Sequence, residues 1–118
     1  LLAHLTKRGP VHVLSNGFAN LQSRKLKSGG IDKYITKLIL SDDIDVTKPD
    51  RRLFDYALEQ VGGTPETTVM IGDNYDADIL GANNAGWHTI FFNRKNVVLE
   101  TNVADLTVTR LTDIIAWL

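Results

Sequence analysis

The chain contains no cysteine among its 118 residues. That excludes a disulfide framework and thiolate metal sites, and it fits a reducing compartment, so a cytoplasmic location is expected. Charge of one sign is also lacking. Thirteen basic residues stand against fourteen acidic ones, for a net charge of −1. A basic nucleic-acid groove or a patch for an anionic membrane surface is therefore not expected. No apolar run approaches the length needed to span a bilayer. The N-terminus, Leu1-Leu2-Ala3-His4-Leu5, has neither an initiator methionine nor a signal-peptide pattern. It reads as the middle of a helix, which leads us to expect a chain that starts inside a longer protein. Repeats and low-complexity linkers are absent too. The three histidines, His4, His12 and His88, share no ligand spacing and read as structural or surface groups.

What is present is an ordinary hydrophobic content, 43%, patterned as alternating strands and helices. Residues 1–8 read as the end of a helix stopped by Gly9-Pro10. Val11 to Leu14 is a short apolar run, expected as a buried strand. Residues 18–28 read as an amphipathic helix ended by Gly29-Gly30. Lys37 to Leu40 is a second strand. Pro49 is expected in the first turn of a helix. Leu53, Phe54, Ala57, Leu58 and Val61 follow at helical spacing, and Gly62-Gly63 closes that helix. Thr68 to Ile71 is a third strand, 76–85 a helix closed by Gly86, and His88 to Phe92 a fourth strand. Ala104 to Val108 is a candidate last strand, with Leu111 to Leu118 a final helix. Such alternation predicts an α/β fold, a parallel sheet with helices on both faces.

Working residues in such sheets sit at the carboxyl ends of strands. Three segments recur there or in the loops that follow: Ser15-Asn16-Gly17, Lys48-Pro49-Asp50, and Gly72-Asp73-Asn74-Tyr75-Asp76-Ala77-Asp78. The first offers a hydroxyl and backbone N–H groups at a turn where glycine lets the chain approach an anion. Lys48 can neutralise clustered carboxylates and a bound phosphoryl group. Asp73 and Asp78 supply hard oxygen ligands of the kind Mg²⁺ takes, one or two at a time, while it keeps several waters. Each piece has an ordinary reading as well. Ser15 could cap a helix, Lys48 could be a solvated surface lysine, and the two aspartates could cap the helix they precede. Asp76, between them, reads as solvated.

Order and context lift the three above any single piece. The chain resembles the haloacid-dehalogenase-like hydrolase superfamily. Val13-Leu14-Ser15-Asn16-Gly17 looks like its second motif, Lys48-Pro49-Asp50 its third, and Gly72-Asp73 through Asp78 its fourth. Flanking residues agree: Ser41-Asp42-Asp43, Leu53-Phe54, and Asp78-Ile79-Leu80-Gly81-Ala82 running to Ala85-Gly86. Ser15-Asn16-Gly17-Phe18 and the overall register look closest to the pyrimidine-nucleotide 5′-phosphatase branch. The resemblance implies a Rossmann-like core and Mg²⁺-dependent hydrolysis of a phosphomonoester, a small phosphorylated metabolite or nucleotide, through an aspartyl-phosphate. It also implies roles. Ser15 would bond a phosphoryl oxygen with the Asn16 backbone N–H assisting. Lys48 would hold the carboxylates and stabilise charge on the transferring group. Asp73 would ligate Mg²⁺, and Asp78 would position a metal-bound water or Lys48.

The departure is the missing first motif, an Asp-x-Asp at the end of the opening strand that carries the nucleophile and the acid/base. Asp43-Ile44-Asp45 is a decoy, since it follows Ser15 and does not come straight off an apolar strand. The family's cap is missing too. Residues 1–118 are therefore expected to be the C-terminal part of a core domain. The missing N-terminal half is its expected partner, and its first strand would lie between the strands ending at Ser15 and Gly72. Metal-independent dehalogenation is the rival chemistry, although those relatives show Ser-Ser-Asn where Gly72-Asp73 stands. A non-catalytic Mg²⁺-binding fragment or partner subunit is the alternative of a different class. A receiver domain needs its acidic pair first in sequence and is set aside. Trp87 and Trp117 read as core or rim, and Asn93-Arg94 as a solvated loop that could reach substrate.

Overall fold

The computed structural model describes Leu5, residues 7–16 and residues 32–116. The expected helix over 18–28, along with His4, Gly17 and Trp117, lies outside the described residues. Leu5 is helical, and Arg8 and Gly9 both donate to its carbonyl at 2.9 and 3.2 Å, so a turn closes ahead of Pro10.

Five strands form among the described residues. β1 is His12–Ser15 and β2 is Lys37–Leu40. They pair in parallel, with His12 opposite Lys37 and Ser15 opposite Leu40. β1 thus lies one residue later than expected, and Ser15 is its last residue rather than the first of a turn. β3 is Val69–Gly72, β4 is His88–Phe92 and β5 is Leu106–Val108. These three also pair in parallel, in the order β3-β4-β5. Among the described residues the two groups stay separate sheets. β1 is hydrogen-bonded along its β2 side and β3 along its β4 side, so no ladder joins β1 to β3.

Between those two edges lies a cleft of about 700 Å³, lined by Val11–Leu14 of the β1 segment, Val69–Ile71 of β3, and Ile39, Ala57, Val61 and Trp87. Its lining is mostly apolar, and two polar side-chain atoms there, His12 Nδ1 and Trp87 Nε1, are buried without a hydrogen-bond partner. Burial, and then the nearby Lys37 ammonium, holds the His12 imidazole below its ordinary pKa.

The helices cover both sides. α1, Arg51–Val61, starts at Asp50, whose carboxylate accepts the Arg52 N–H at 2.9 Å. Pro49 therefore precedes the cap and is not in the first helical turn, because an aspartate carboxylate satisfies an orphan N–H that proline cannot. α1 ends at Gly62 with φ of 68°, a left-handed cap in which glycine carries no Cβ penalty. Its apolar face packs Phe54 and Ala57 onto Ile39, Met70 and Trp87. Phe54 meets Trp87 edge-on, with ring centroids 5.3 Å apart. Trp87 is thus a core residue. On the other side a 3₁₀ helix, Leu111–Ala116, sets the fully buried Ile114 against Ile90 and Val108. It replaces the α-helix expected over that span.

The helix expected over 76–85 is two pieces. A π-helical turn, Tyr75–Leu80, runs into α2, Gly81–Asn84, and Gly86 ends it with φ of 84°. The wider turn accompanies Asp78, whose backbone N–H bonds the Asn74 carbonyl at 2.8 Å while its carboxylate folds back on the Asn74 N–H. π turns of this kind recur at functional sites. No helix among the described residues is long and apolar enough to cross a membrane.

Candidate active site

The carboxyl ends of β1 and β3 point to one side of the molecule, and Lys48 reaches across from one to the other. Its Nζ donates to Asp78 Oδ1 at 2.6 Å and to the carbonyl of Leu14, in β1, at 3.1 Å. The two side chains are 11% and 8% exposed, so this is a buried ion pair and not a solvated lysine. It links the end of β1 to the turn that follows β3.

The loop carrying Lys48 is clamped from β1. Asn16 Oδ1 accepts the Lys48 backbone N–H at 2.8 Å, and Asn16 Nδ2 donates to the Lys48 carbonyl at 3.4 Å. Nothing in the residue pattern signals this side-chain role for Asn16, because its partner is 32 residues away in the chain. The amide that flanks Ser15 thereby ties the first segment to the second. Ser15 ends β1 beside this clamp.

Asp78 is held as tightly as Lys48. Its second oxygen accepts the Asn74 N–H at 3.3 Å. It also lies hard against Gly72, where a Cβ would fall 2.5 Å from Asp78 Cβ. Only glycine allows that approach, which gives the Gly72-Asp73 pairing a steric reason. Asn74 has a second contact, since its side chain also accepts the Ala77 N–H at 3.0 Å as the cap of the π turn.

Asp73 differs. It leaves the end of β3 with its side chain 52% exposed, and it faces Arg94, with Nη2 to Oδ2 at 3.7 Å. Asp76 is exposed, in keeping with the solvated position expected of it.

The donor set suits Mg²⁺. Among the described residues no three His, Asp or Glu side chains converge into a ready cage. Mg²⁺ does not need one, because it is bound through one or two carboxylates plus waters and substrate phosphate oxygens. Asp73 offers an accessible carboxylate. Asp78, with both oxygens already accepting, keeps lone pairs for a metal-bound water.

Asp43 does something else. Its carboxylate accepts the Leu40 N–H and the Tyr56 hydroxyl, both at 3.2 Å, so it closes the 3₁₀ turn after β2 and anchors α1. His88 bonds the Glu66 carbonyl at 3.0 Å and faces Asp105, the structural role expected of it.

A family model for haloacid dehalogenase-like hydrolases matches residues 1–86. The pyrimidine 5′-nucleotidase YjjG of Escherichia coli is 38% identical over 94 residues, covering 79% of this chain and 42% of that one. A glyceraldehyde 3-phosphate phosphatase of Methanothermobacter thermautotrophicus is 38% identical over 101 residues, covering 81% of this chain and 45% of that one. A crystal structure of a dehalogenase superposes with a TM-score of 0.94 at 26% identity, over 99% of this chain and 53% of that one. The chain spans less than half the length of both curated relatives.

Proposed function

The chain belongs to the haloacid dehalogenase-like hydrolases, and from that premise we propose that it supplies the phosphate-binding and metal-binding half of a Mg²⁺-dependent phosphomonoesterase. The nucleophile is carried by a strand of the upstream half that fills the cleft between β1 and β3. The observation that carries this reading is Lys48, a largely buried cation that links the end of β1 to the turn after β3, the two strands that line the cleft. A parallel strand in the cleft would bring its last residues to Lys48. Its backbone would pair with the two open strand edges, which otherwise invite association.

In this reading Ser15 and the Asn16 N–H bind phosphoryl oxygens. Lys48, held by Asp78 and Asn16, faces the charge that grows on the transferring group. A carboxylate from the upstream strand attacks phosphorus, and the alcohol leaves with a proton from an acid on the same segment. Water then hydrolyses the acyl phosphate, releasing inorganic phosphate and restoring the carboxylate. Bound through Asp73, Mg²⁺ would supply charge neutralisation at the phosphoryl oxygens. Preorganised donors and cations of this kind are commonly the largest catalytic contribution.

A small phosphorylated metabolite, nucleotide 5′-monophosphates among them, is the substrate class the relatives support. The nucleotidase and the glyceraldehyde 3-phosphate phosphatase are each 38% identical to this chain. This half is therefore common to both, and selection of the leaving group falls to the upstream half. Dehalogenation is a second reading, supported by the dehalogenase neighbour. The exposed carboxylate of Asp73 argues for the phosphatase.

The test is to assay the full-length protein on nucleoside monophosphates and p-nitrophenyl phosphate with Mg²⁺, and on 2-chloropropionate with EDTA. Phosphate release that EDTA stops and Mg²⁺ restores is expected. Metal-independent chloride release would replace this reading with the second.

A further inference from the structure

β4 ends at Phe92, and the next two residues are Asn93 and Arg94. Asn93 is 8% exposed. Its Nδ2 donates to the Val97 carbonyl at 2.8 Å, and its Oδ1 accepts the Val97 N–H at 2.9 Å. Its own backbone N–H reaches the Val108 carbonyl of β5 at 2.8 Å. Asn96, with φ of 51°, completes the turn and donates its N–H to the Asn93 carbonyl at 3.0 Å. Arg94 therefore projects from the solvated loop expected there, one that Asn93 braces.

Its guanidinium is directed at Asp73, Nη2 to Oδ2 at 3.7 Å, across the carboxyl ends of β4 and β3. Asp73 is the carboxylate assigned above to the divalent cation. A guanidinium cannot ligate a metal and is always charged. Its charge opposes that of a cation arriving at Asp73, and it faces the same carboxylate. The pair also differs from Lys48–Asp78. That pair is largely buried, while this one is more than half exposed on each side and so weak enough to be exchanged.

We propose that Arg94 is a counter-charge that competes with the divalent cation for Asp73 and thereby lowers the affinity of the site for Mg²⁺. The inference rests on the reading of Asp73 as the metal ligand. Arg94 keeps Asp73 neutralised while the metal is away and gives it up when the metal binds. The braced loop sets its position without needing Arg94 for its own fold.

The experiment is a calorimetric Mg²⁺ titration of the full-length protein and its Arg94→Gln, Arg94→Lys, Arg94→Glu and Asp73→Asn variants, with thermal melts alongside. Arg94→Gln should tighten Mg²⁺ binding about two- to fivefold, the strength of an exposed ion pair. Arg94→Glu should tighten it further, and Arg94→Lys should stay close to the parent. The difference should shrink as ionic strength rises. A loop with only a structural role would change the melt and not this charge order. If Asp73→Asn weakens binding while the Arg94 variants match the parent, the competition is overturned and the metal assignment stands. If Asp73→Asn leaves binding unchanged, the metal assignment falls and the competition with it.

Discussion

Replacing Lys48 by methionine keeps most of the unbranched side chain and removes its charged end. At 2.6 Å from Asp78 Oδ1, the pair has a Coulomb energy of about 6 kcal/mol at an effective dielectric constant of 20. That is a gross figure, because both ions gave up hydration to reach this site. Removing one partner of a buried pair usually costs about 3–5 kcal/mol, the penalty of leaving the other charge alone. We expect that loss in Lys48→Met, measured by urea unfolding of the full-length protein. The double variant Lys48→Met/Asp78→Asn should recover much of it, since no unpaired charge then remains. Activity should not follow stability. Losing one charge aimed at the transferring phosphoryl group should lower kcat by about 10²–10³ in both variants. The two readouts thus separate the pair's structural and catalytic parts. If the double variant is as unstable as the single one, the unpaired Asp78 is not the source of the loss. If folded Lys48→Met keeps kcat within tenfold while KM rises, Lys48 binds substrate and the electrostatic account is wrong.

Asp73→Asn should abolish Mg²⁺-dependent turnover, yet shift the unfolding midpoint little, because its partner Arg94 is an exposed contact worth about 1 kcal/mol at most; full activity at saturating Mg²⁺ would remove Asp73 from the metal site. Gly72→Ala places a methyl against Asp78 and should cost about 1–3 kcal/mol as an overpacked site does. It should also impair kcat by displacing the partner of Lys48, and a stable, fully active variant would contradict the close approach. The folded state depresses the His12 pKa, so the unfolded chain binds the proton first. Stability should therefore fall as pH drops below the ordinary histidine value, about 6.5, and His12→Gln should flatten that slope. Residues 1–118 expressed alone should associate or aggregate through the open edges of β1 and β3 and show no phosphatase activity. A cooperatively melting monomer in a gradient and thermal scan would refute this, and turnover lost with Asp43→Asn would make Asp43 a nucleophile.

Much of the fold is legible in the residue pattern alone. β2 and β4 lie at the expected residues because Lys37–Leu40 and His88–Phe92 are short apolar runs between loop signals. α1 is clear from its apolar spacing and its terminal glycines. The π turn is not, because a helical apolar spacing over 76–85 fits an α-helix equally well. The 3₁₀ geometry of Leu111–Ala116 is hidden for a similar reason, since apolar periodicity does not distinguish a tight turn from a loose one.

For the site, residue types and order point by resemblance to Ser15, Asn16, Lys48, Asp73 and Asp78. Chemistry is a local property of side chains, and a strand end can be read from the run that precedes it. What each residue touches is not local. The Asn16 clamp joins positions 32 residues apart, and Lys48–Asp78 joins positions 30 apart. The sequence thus determined which groups are available: a hydroxyl, an ammonium, two carboxylates and a glycine beside one of them. Tertiary structure alone decided that Lys48 is buried with Asp78, that Asp73 stays exposed and faces Arg94, and that β1 and β3 line one cleft without pairing. The physical reason is that burial and ion pairing depend on which elements pack together, and parallel strands are joined through long crossovers, so partners far apart in the chain meet only after the fold has formed.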